Sequence, residues 1–151
     1  MTLGIVIIDQ FIKYLVTKNF LLSETLDVIP NFFYLTYVKN TGGAWSIFEN
    51  IPYLLVIASA VFIIGINYYI SKNNNFTKIE TISYGILLGG VFGNFIDRLV
   101  VSGVIDYFGF QFGSYYFPIF NFADIMIVLG IGLMIIDTLR GDLHEYRSRN
   151  K

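Results

Sequence analysis

The chain has 151 residues, of which 55% are hydrophobic, 18% aromatic and only 14% charged. A soluble domain is about one quarter charged, so this composition indicates an integral membrane protein, which we place in one domain, residues 1–151. The net charge of −1 gives no reason to expect a nucleic-acid partner, and the absence of cysteine excludes disulfides and thiolate nucleophiles. The single histidine, His144, lies in a polar tail, which excludes a histidine triad or a histidine-ligated metal inside the membrane.

Four apolar segments are long enough to form membrane helices, which need roughly 20 residues each. They cover about residues 2–18, 51–71, 79–98 and 121–140. The first segment lacks a basic lead-in and a small-residue cleavage site, so we interpret it as a retained helix and not as a signal peptide. The predicted fold class is therefore an all-α membrane protein with four transmembrane helices.

Basic residues set the predicted orientation of these helices. Four spans place both termini on one side, and the loop 72–78 and the tail 141–151 are both basic. By the positive-inside rule these two segments are cytoplasmic. The segments 19–50 and 99–120 are then extracytoplasmic.

The two outer segments differ in their sequence patterns. In the first, the aromatic and β-branched residues 32–38 favour a strand, "NTGG" favours a turn, and "AWSIF" (44–48) favours a returning strand. This predicts a small sheet at the outer interface, with Trp45 in an aromatic belt. The second segment contains the uncharged, glycine-interrupted stretch "YFGFQFGSYYFP", for which we predict a loop or an interfacial helix that dips into the headgroups.

Carboxylates stand where the helices meet the outer surface. Asp97 ends the third helix, Asp124 begins the fourth, and Asp106 lies between them, with Asp9 on the first helix as a further candidate. Two carboxyl groups that share a site can position a water, deprotonate it and later protonate a leaving amine. Asp106 and Asp124 flank one aromatic segment, and we interpret them as a candidate catalytic pair.

The other charged residues also have structural interpretations. Asp9 and Lys13 are four residues apart, so they share a helix face and can form an ion pair. Asp97 and Arg98 are adjacent, and each can cap or tie down a neighbouring loop. The glycines spaced by four on the third helix predict close helix contact at Gly85, Gly89 and Gly93.

Asparagines complete the polar set at the outer ends of the elements. Asn40, Asn94 and Asn121 can orient a substrate peptide or a carboxylate, or can serve turns and caps. Asp124 is placed to cap its own helix and to interact with the helix dipole. Asn121 is better placed for the cap, which would leave Asp124 free to bind water.

Two other kinds of function remain open from the residues alone. A transporter or channel subunit would use Asp9, Asp97 and Asp124 as a proton or cation path, although these carboxylates cluster at one side of the membrane. A serine–lysine protease would pair Ser46 with Lys39 across the predicted outer sheet.

Five motifs occur in the order seen in lipoprotein signal peptidases, also called signal peptidase II, and the chain resembles that family over nearly its whole length. They are "DQFIK" (Asp9–Lys13), "NTGGAWSIF" (Asn40–Phe48), "GNFIDR" (Gly93–Arg98), "VIDYF" (Val104–Phe108) and "FNFAD" (Phe120–Asp124).

The resemblance implies four transmembrane helices, an extracytoplasmic β-sheet cradle and a short extracytoplasmic helix. It implies a bacterial cytoplasmic-membrane aspartyl protease that acts as a monomer without metal or cofactor and is blocked by globomycin. Its substrates would be diacylglyceryl-modified prolipoproteins, cut immediately before the lipidated cysteine. Asp106 and Asp124 would be the catalytic dyad. Positions that would support the dyad, bind substrate or hold the structure are Asn40, Gly42, Asn94, Asp97, Arg98, Asn121, Asp9 and Lys13.

Overall fold

The computed structural model describes residues 1–43, 51–73 and 75–149. Within them the chain forms four helices, α1 (Thr2–Asn19), α2 (Pro52–Lys72), α3 (Lys78–Val100) and α4 (Phe122–Arg149). It also forms four strands, β1 (Thr25–Ile29), β2 (Phe33–Asn40), β3 (Val104–Phe112) and β4 (Tyr115–Phe120). The helices therefore follow the apolar segments of the sequence, and the strands fall in the two segments between α1 and α2 and between α3 and α4.

Three helices are long and apolar enough to cross a membrane, over Tyr53–Lys72, Lys78–Val100 and Phe122–Arg140. This makes the protein a multi-pass membrane protein. The helix α1 differs because Asp9, Lys13 and Lys18 fall within its 18 residues. The helix α4 continues to Arg149, past the predicted end at residue 140, so most of the predicted tail is helical.

The strands form one antiparallel sheet in the order β1-β2-β3-β4. The strand predicted over residues 32–38 is confirmed as β2, but its neighbours are β1 and β3. The strand predicted at 44–48, with Trp45, lies outside the described residues. β1 was not predicted because it is exposed along its whole length and lacks the alternating pattern of a half-buried strand.

The loop or interfacial helix predicted within residues 99–120 is wrong, since β3 and β4 form a hairpin there. Phe112 pairs with Tyr115 across a two-residue turn, and Gly113 adopts a φ of +64° that favours glycine. Gly109 also serves the sheet: it pairs with Tyr34, whose ring occupies the space that a Cβ would need. Gly109 and Gly113, which interrupt this aromatic stretch, are therefore residues that the hairpin requires.

The helix α3 contacts each of the other three helices. A Cβ on Gly89 would lie 2.7 Å from the Ile5 side chain of α1, and one on Gly93 would meet the Asp9 carboxylate. This confirms the close helix contact predicted from the glycine spacing. As a result, the polar residues of α1 reach the end of the bundle where β3 starts and α4 begins.

Candidate active site

The first turn of α4 carries two of the predicted site residues, and they cap it reciprocally. The Asn121 side-chain oxygen accepts the Asp124 N–H at 3.0 Å, and Asp124 Oδ2 accepts the Asn121 N–H at 3.1 Å. This is the geometry of a capping box. The expectation that Asn121 caps the helix in place of Asp124 is therefore wrong, because both residues cap it.

Two side chains from other elements bind the remaining free N–H groups of this turn. The Phe122 N–H donates to the Tyr107 hydroxyl oxygen of β3 at 3.0 Å, and the Ala123 N–H donates to Asp9 Oδ1 of α1 at 3.1 Å. The first four N–H groups of a helix have no partner within it, and here all four have a side-chain acceptor. The start of α4 is thus held from both α1 and the sheet.

Asp106 lies on β3 opposite Val38 of β2 and is 3% exposed. Both of its carboxylate oxygens accept amide hydrogen bonds. Asn121 Nδ2 donates to Oδ1 at 2.7 Å, and Asn40 Nδ2 donates to Oδ2 at 2.9 Å. Neighbouring strands therefore supply Asp106 and one of its partners, and α4 supplies the other.

Asn121 and Asn94 join Asp106 to Asp124. Asn94 Nδ2 of α3 donates to Asp124 Oδ1 at 2.7 Å, and Asn121 Nδ2 also reaches Asn94 Oδ1 at 3.1 Å. Asn121 contacts both carboxylates, through its side chain to Asp106 and through its backbone N–H to Asp124. The two aspartates that are 18 positions apart in sequence therefore share one hydrogen-bonded site.

Lys13 lies beneath this site, 1% exposed, and binds three side chains. Its ammonium group lies 2.9 Å from Asp9, 2.7 Å from Asp97 and 2.9 Å from Asn94 Oδ1. The predicted Asp9–Lys13 pair is present, and Asp97 joins it. Asp97 Oδ2 also accepts the Ile105 N–H at 3.1 Å, which confirms that it ties down the neighbouring segment at the start of β3.

Asn40 and Arg98 line an open pocket of about 80 Å³ together with Thr41 after β2, Val56 of α2 and Gly103 in the turn before β3. The Gly42 N–H donates to Asn40 Oδ1 at 3.1 Å, which directs the Asn40 amide nitrogen to the carboxylate of Asp106. Arg98 Nη1 donates to the Asn94 carbonyl at 3.3 Å. The pocket therefore presents amide and guanidinium groups, and it is connected to the Asp106 carboxylate through Asn40.

Burial raises the pKa of Asp106 to about 7, and the charge of Asp124 acts in the same direction. The hydrogen bonds from Asn40 and Asn121 and the charge of Lys13 lower the pKa, but they do not offset the loss of hydration. Asp106 can therefore hold a proton near neutral pH, where an ordinary aspartic acid is ionised.

Two residues of the site were missed from the sequence. Gln10 Nε2 donates to Asp97 Oδ1 at 2.8 Å and to the Gly93 carbonyl at 3.1 Å, and it joins α1 to α3. Its signal was a further polar side chain beside Asp9 in an apolar helix. Tyr107 gave no such signal, since it stands in a run of aromatic residues.

The described side chains do not provide a group of three or more histidines or acidic residues that could hold a metal. Asp9 and Asp97, which approach each other, are bridged by the Lys13 ammonium group. For the serine–lysine alternative, Lys39 is exposed on β2 and pairs with Ile105, whereas Ser46 lies outside the described residues.

The fold and the site together define a multi-pass membrane protein that carries a carboxylate pair at one end of its helical bundle. Residues 1–140 match the family described as Signal peptidase (SPase) II. The chain therefore belongs to the signal peptidase II family, which is a family of peptidases.

Individual relatives agree with this placement. The lipoprotein signal peptidase of Bacillus pumilus (strain SAFR-032) is 39% identical over 132 residues, which cover 87% of this chain and 85% of that protein. The lipoprotein signal peptidase of Pasteurella multocida (strain Pm70) is 38% identical over 149 residues, which cover 96% of this chain and 89% of that protein.

Solved structures have the same fold. A bacterial membrane enzyme determined by the in meso method at 2.3 Å resolution is similar with a TM-score of 0.83 and 31% identity, covering 92% of this chain and 85% of the other. A second bacterial membrane enzyme structure, at 1.9 Å resolution, is similar with a TM-score of 0.80 and 31% identity, covering 91% of this chain and 89% of the other.

Proposed function

We propose that the protein is an aspartyl endopeptidase that removes signal peptides from diacylglyceryl-modified prolipoproteins and cuts immediately before the lipidated cysteine. The observation that carries this proposal is the asparagine-linked pair of Asp106 and Asp124, which Asn40 connects to an open pocket. The names of the relatives, lipoprotein signal peptidases, support the substrate class. The chemistry uses two carboxyl groups and water, without a metal or cofactor.

In the proposed reaction, one carboxyl group of the pair is protonated and the other is ionised. The ionised group takes a proton from water, and the water oxygen attacks the scissile carbonyl carbon. The protonated group hydrogen-bonds the carbonyl oxygen, and the pair then delivers a proton to the leaving amine. The high pKa of Asp106 supports this division, since it keeps a proton available near neutral pH.

Asn121 and Asn94 have the proposed role of fixing the positions of the Asp106 and Asp124 carboxyl groups relative to each other. The side-chain amide of each donates to one aspartate, and the two amides also contact each other. Asn40 and Arg98 line the pocket, where we place the peptide near the cut site. Gly42 orients Asn40, and the Lys13 cluster holds α1 and α3 beneath the pair.

We also propose that α1 is a fourth membrane span. Its 18 residues rise about 27 Å at 1.5 Å per residue, close to the hydrocarbon thickness of about 30 Å. Asp9 and Lys13 are 0% and 1% exposed and face the bundle, whereas the outward side chains before the last turn of α1 are mostly apolar. These outward residues include Leu3, Ile7, Ile8 and Phe11.

With four spans and basic inner segments, we propose that the pair lies on the extracytoplasmic side of a bacterial cytoplasmic membrane, where a lipid-anchored substrate presents its cut site. A prolipoprotein held in the bilayer by its diacylglyceryl group would reach the pocket without leaving the membrane. Globomycin-type inhibitors are expected to occupy the pair, and the working unit is expected to be a monomer.

The test compares Asp106→Asn and Asp124→Asn with the matched control Asp27→Asn, which removes an exposed carboxylate of β1. Purified wild-type protein should cut a diacylglyceryl-modified prolipoprotein but not the unmodified one, and globomycin should stop the cleavage. Either site variant should fold and lose at least about 100-fold in kcat, the low end for loss of a general acid or base. Turnover retained by either site variant would remove that residue from the proposed pair.

A further inference from the structure

Tyr107 is the buried residue that joins the two parts of the site most directly. It is 1% exposed and packs with Val16 and Ile105 in a small core. Its hydroxyl oxygen accepts the Phe122 N–H at 3.0 Å. A buried tyrosine hydroxyl usually finds such a polar partner, but this partner is the first residue of the helix that carries Asp124.

The position of this bond in the chain matters more than its strength. Tyr107 directly follows Asp106 on β3, and Phe122 lies two residues before Asp124 on α4. The bond therefore connects the backbone segments of the two carboxylates at the point where each enters the site. The side chains make the other connection, through Asn121.

We propose that Tyr107 is a positioning residue for the hydrolysis: its hydroxyl holds the start of α4 against β3 and so fixes the separation of Asp106 and Asp124. The inference rests on the proposed function of this pair. Tyr107 itself is buried and does not line the pocket, so it is not placed to touch a substrate there. Its loss should therefore change the chemical step and not substrate binding.

Removal of the hydroxyl leaves the packing of the ring in place. Tyr107→Phe keeps the edge contact with Phe108, whose ring centre lies 4.6 Å away. It leaves the Phe122 N–H without its acceptor, so the first turn of α4 can shift relative to β3. A misplacement of about 1 Å at a reacting group can cost about 100-fold in rate, and we expect a smaller shift to lower kcat roughly 10-fold.

The first experiment measures kcat and KM for a diacylglyceryl-modified prolipoprotein with wild type, Tyr107→Phe and the control Tyr14→Phe, which removes an exposed hydroxyl from α1. Tyr107→Phe should lower kcat roughly 10-fold with KM within about twofold, and Tyr14→Phe should match wild type. A kcat equal to that of the control, or a loss confined to KM, overturns the inference. Failure of wild type to cleave would instead overturn the proposed function.

A second pair of variants removes the same bond from the donor side, and the comparison of these two single variants needs no change at Tyr107. Phe122→Ala and Phe122→Pro both lose the ring, but only proline also loses the N–H, and proline is favoured at the first position of a helix. Phe122→Pro should have a kcat well below that of Phe122→Ala. In the Tyr107→Phe background the two should be equal, because the bond is already absent. A difference that persists in that background contradicts the inference.

Discussion

Removal of the Asn40 amide is expected to move the pH dependence of the proposed cleavage toward higher pH. Asn40 Nδ2 donates to Asp106 Oδ2 at 2.9 Å, and a donor on a carboxylate oxygen favours the ionised form. Asn40→Ala should therefore raise the pKa of Asp106 further above its value of about 7. If Asp106 must hold a proton for activity, activity will persist to a higher pH in this variant.

The size of the shift follows from the strength of one hydrogen bond. A hydrogen bond to a charged group contributes about 1.5–3 kcal/mol, and one pKa unit corresponds to about 1.4 kcal/mol. Loss of the whole hydrogen-bond energy would thus raise the pKa of Asp106 by about one to two units. Asn40 is half-buried at an open pocket, so water can replace part of the lost interaction. We therefore expect the pKa of Asp106 to rise by about one unit in Asn40→Ala.

The assay is the pH profile of kcat/KM, which reports the groups of the free enzyme. Asn67→Ala is the matched control, since the Asn67 amide on α2 binds the Ile63 carbonyl of its own helix. Loss of a substrate contact by Asn40→Ala would lower the whole profile without moving its basic limb. A basic limb that stays in place, or moves to lower pH, would refute the assignment of the proton to Asp106.

Two further variants test how the bundle holds the site, and both are read from the thermal unfolding midpoint in detergent. Lys13→Met leaves its two buried carboxylate partners without a cation. The free energy of unfolding should fall by about 3–5 kcal/mol, and the midpoint by about 10 °C. An unchanged midpoint would contradict the role of the ion cluster. Gly93→Ala places a Cβ against the Asp9 carboxylate and should lower the free energy of unfolding by about 1–3 kcal/mol. Gly132→Ala is its control, because the added Cβ meets no atom within 4 Å. Equal midpoints for the two variants would show that α1 packs differently.

The site could be predicted to the extent that its residues are costly in a membrane. Asp97, Asp106 and Asp124 stood out because each interrupts an apolar or aromatic run. Four helices and β2 were predicted for a related reason, since long apolar runs and aromatic strands have clear patterns. These patterns do not show which polar groups form hydrogen bonds with each other in the folded protein.

The features that escaped prediction are those determined by tertiary contact. Gln10 binds two groups of α3 that are more than 80 positions away, and Tyr107 binds the backbone of α4. The sequence pattern does not predict the hairpin after α3, because Gly109 and Gly113 interrupt its aromatic stretch. Gly109 is needed by the Tyr34 ring on the neighbouring strand, and that contact exists only once the sheet has formed.

The capping of α4 gives the two aspartates unequal surroundings. A capping box also begins α3, where Thr77 and Glu80 exchange the same two hydrogen bonds at the exposed end of the bundle. In α4 the acidic member of the box is Asp124, and the positive end of the helix dipole favours a negative charge there. Asp106 lies on a strand, which lacks a comparable dipole, and burial favours its neutral form. We therefore expect Asp124 to act as the base that activates water and Asp106 to carry the shared proton.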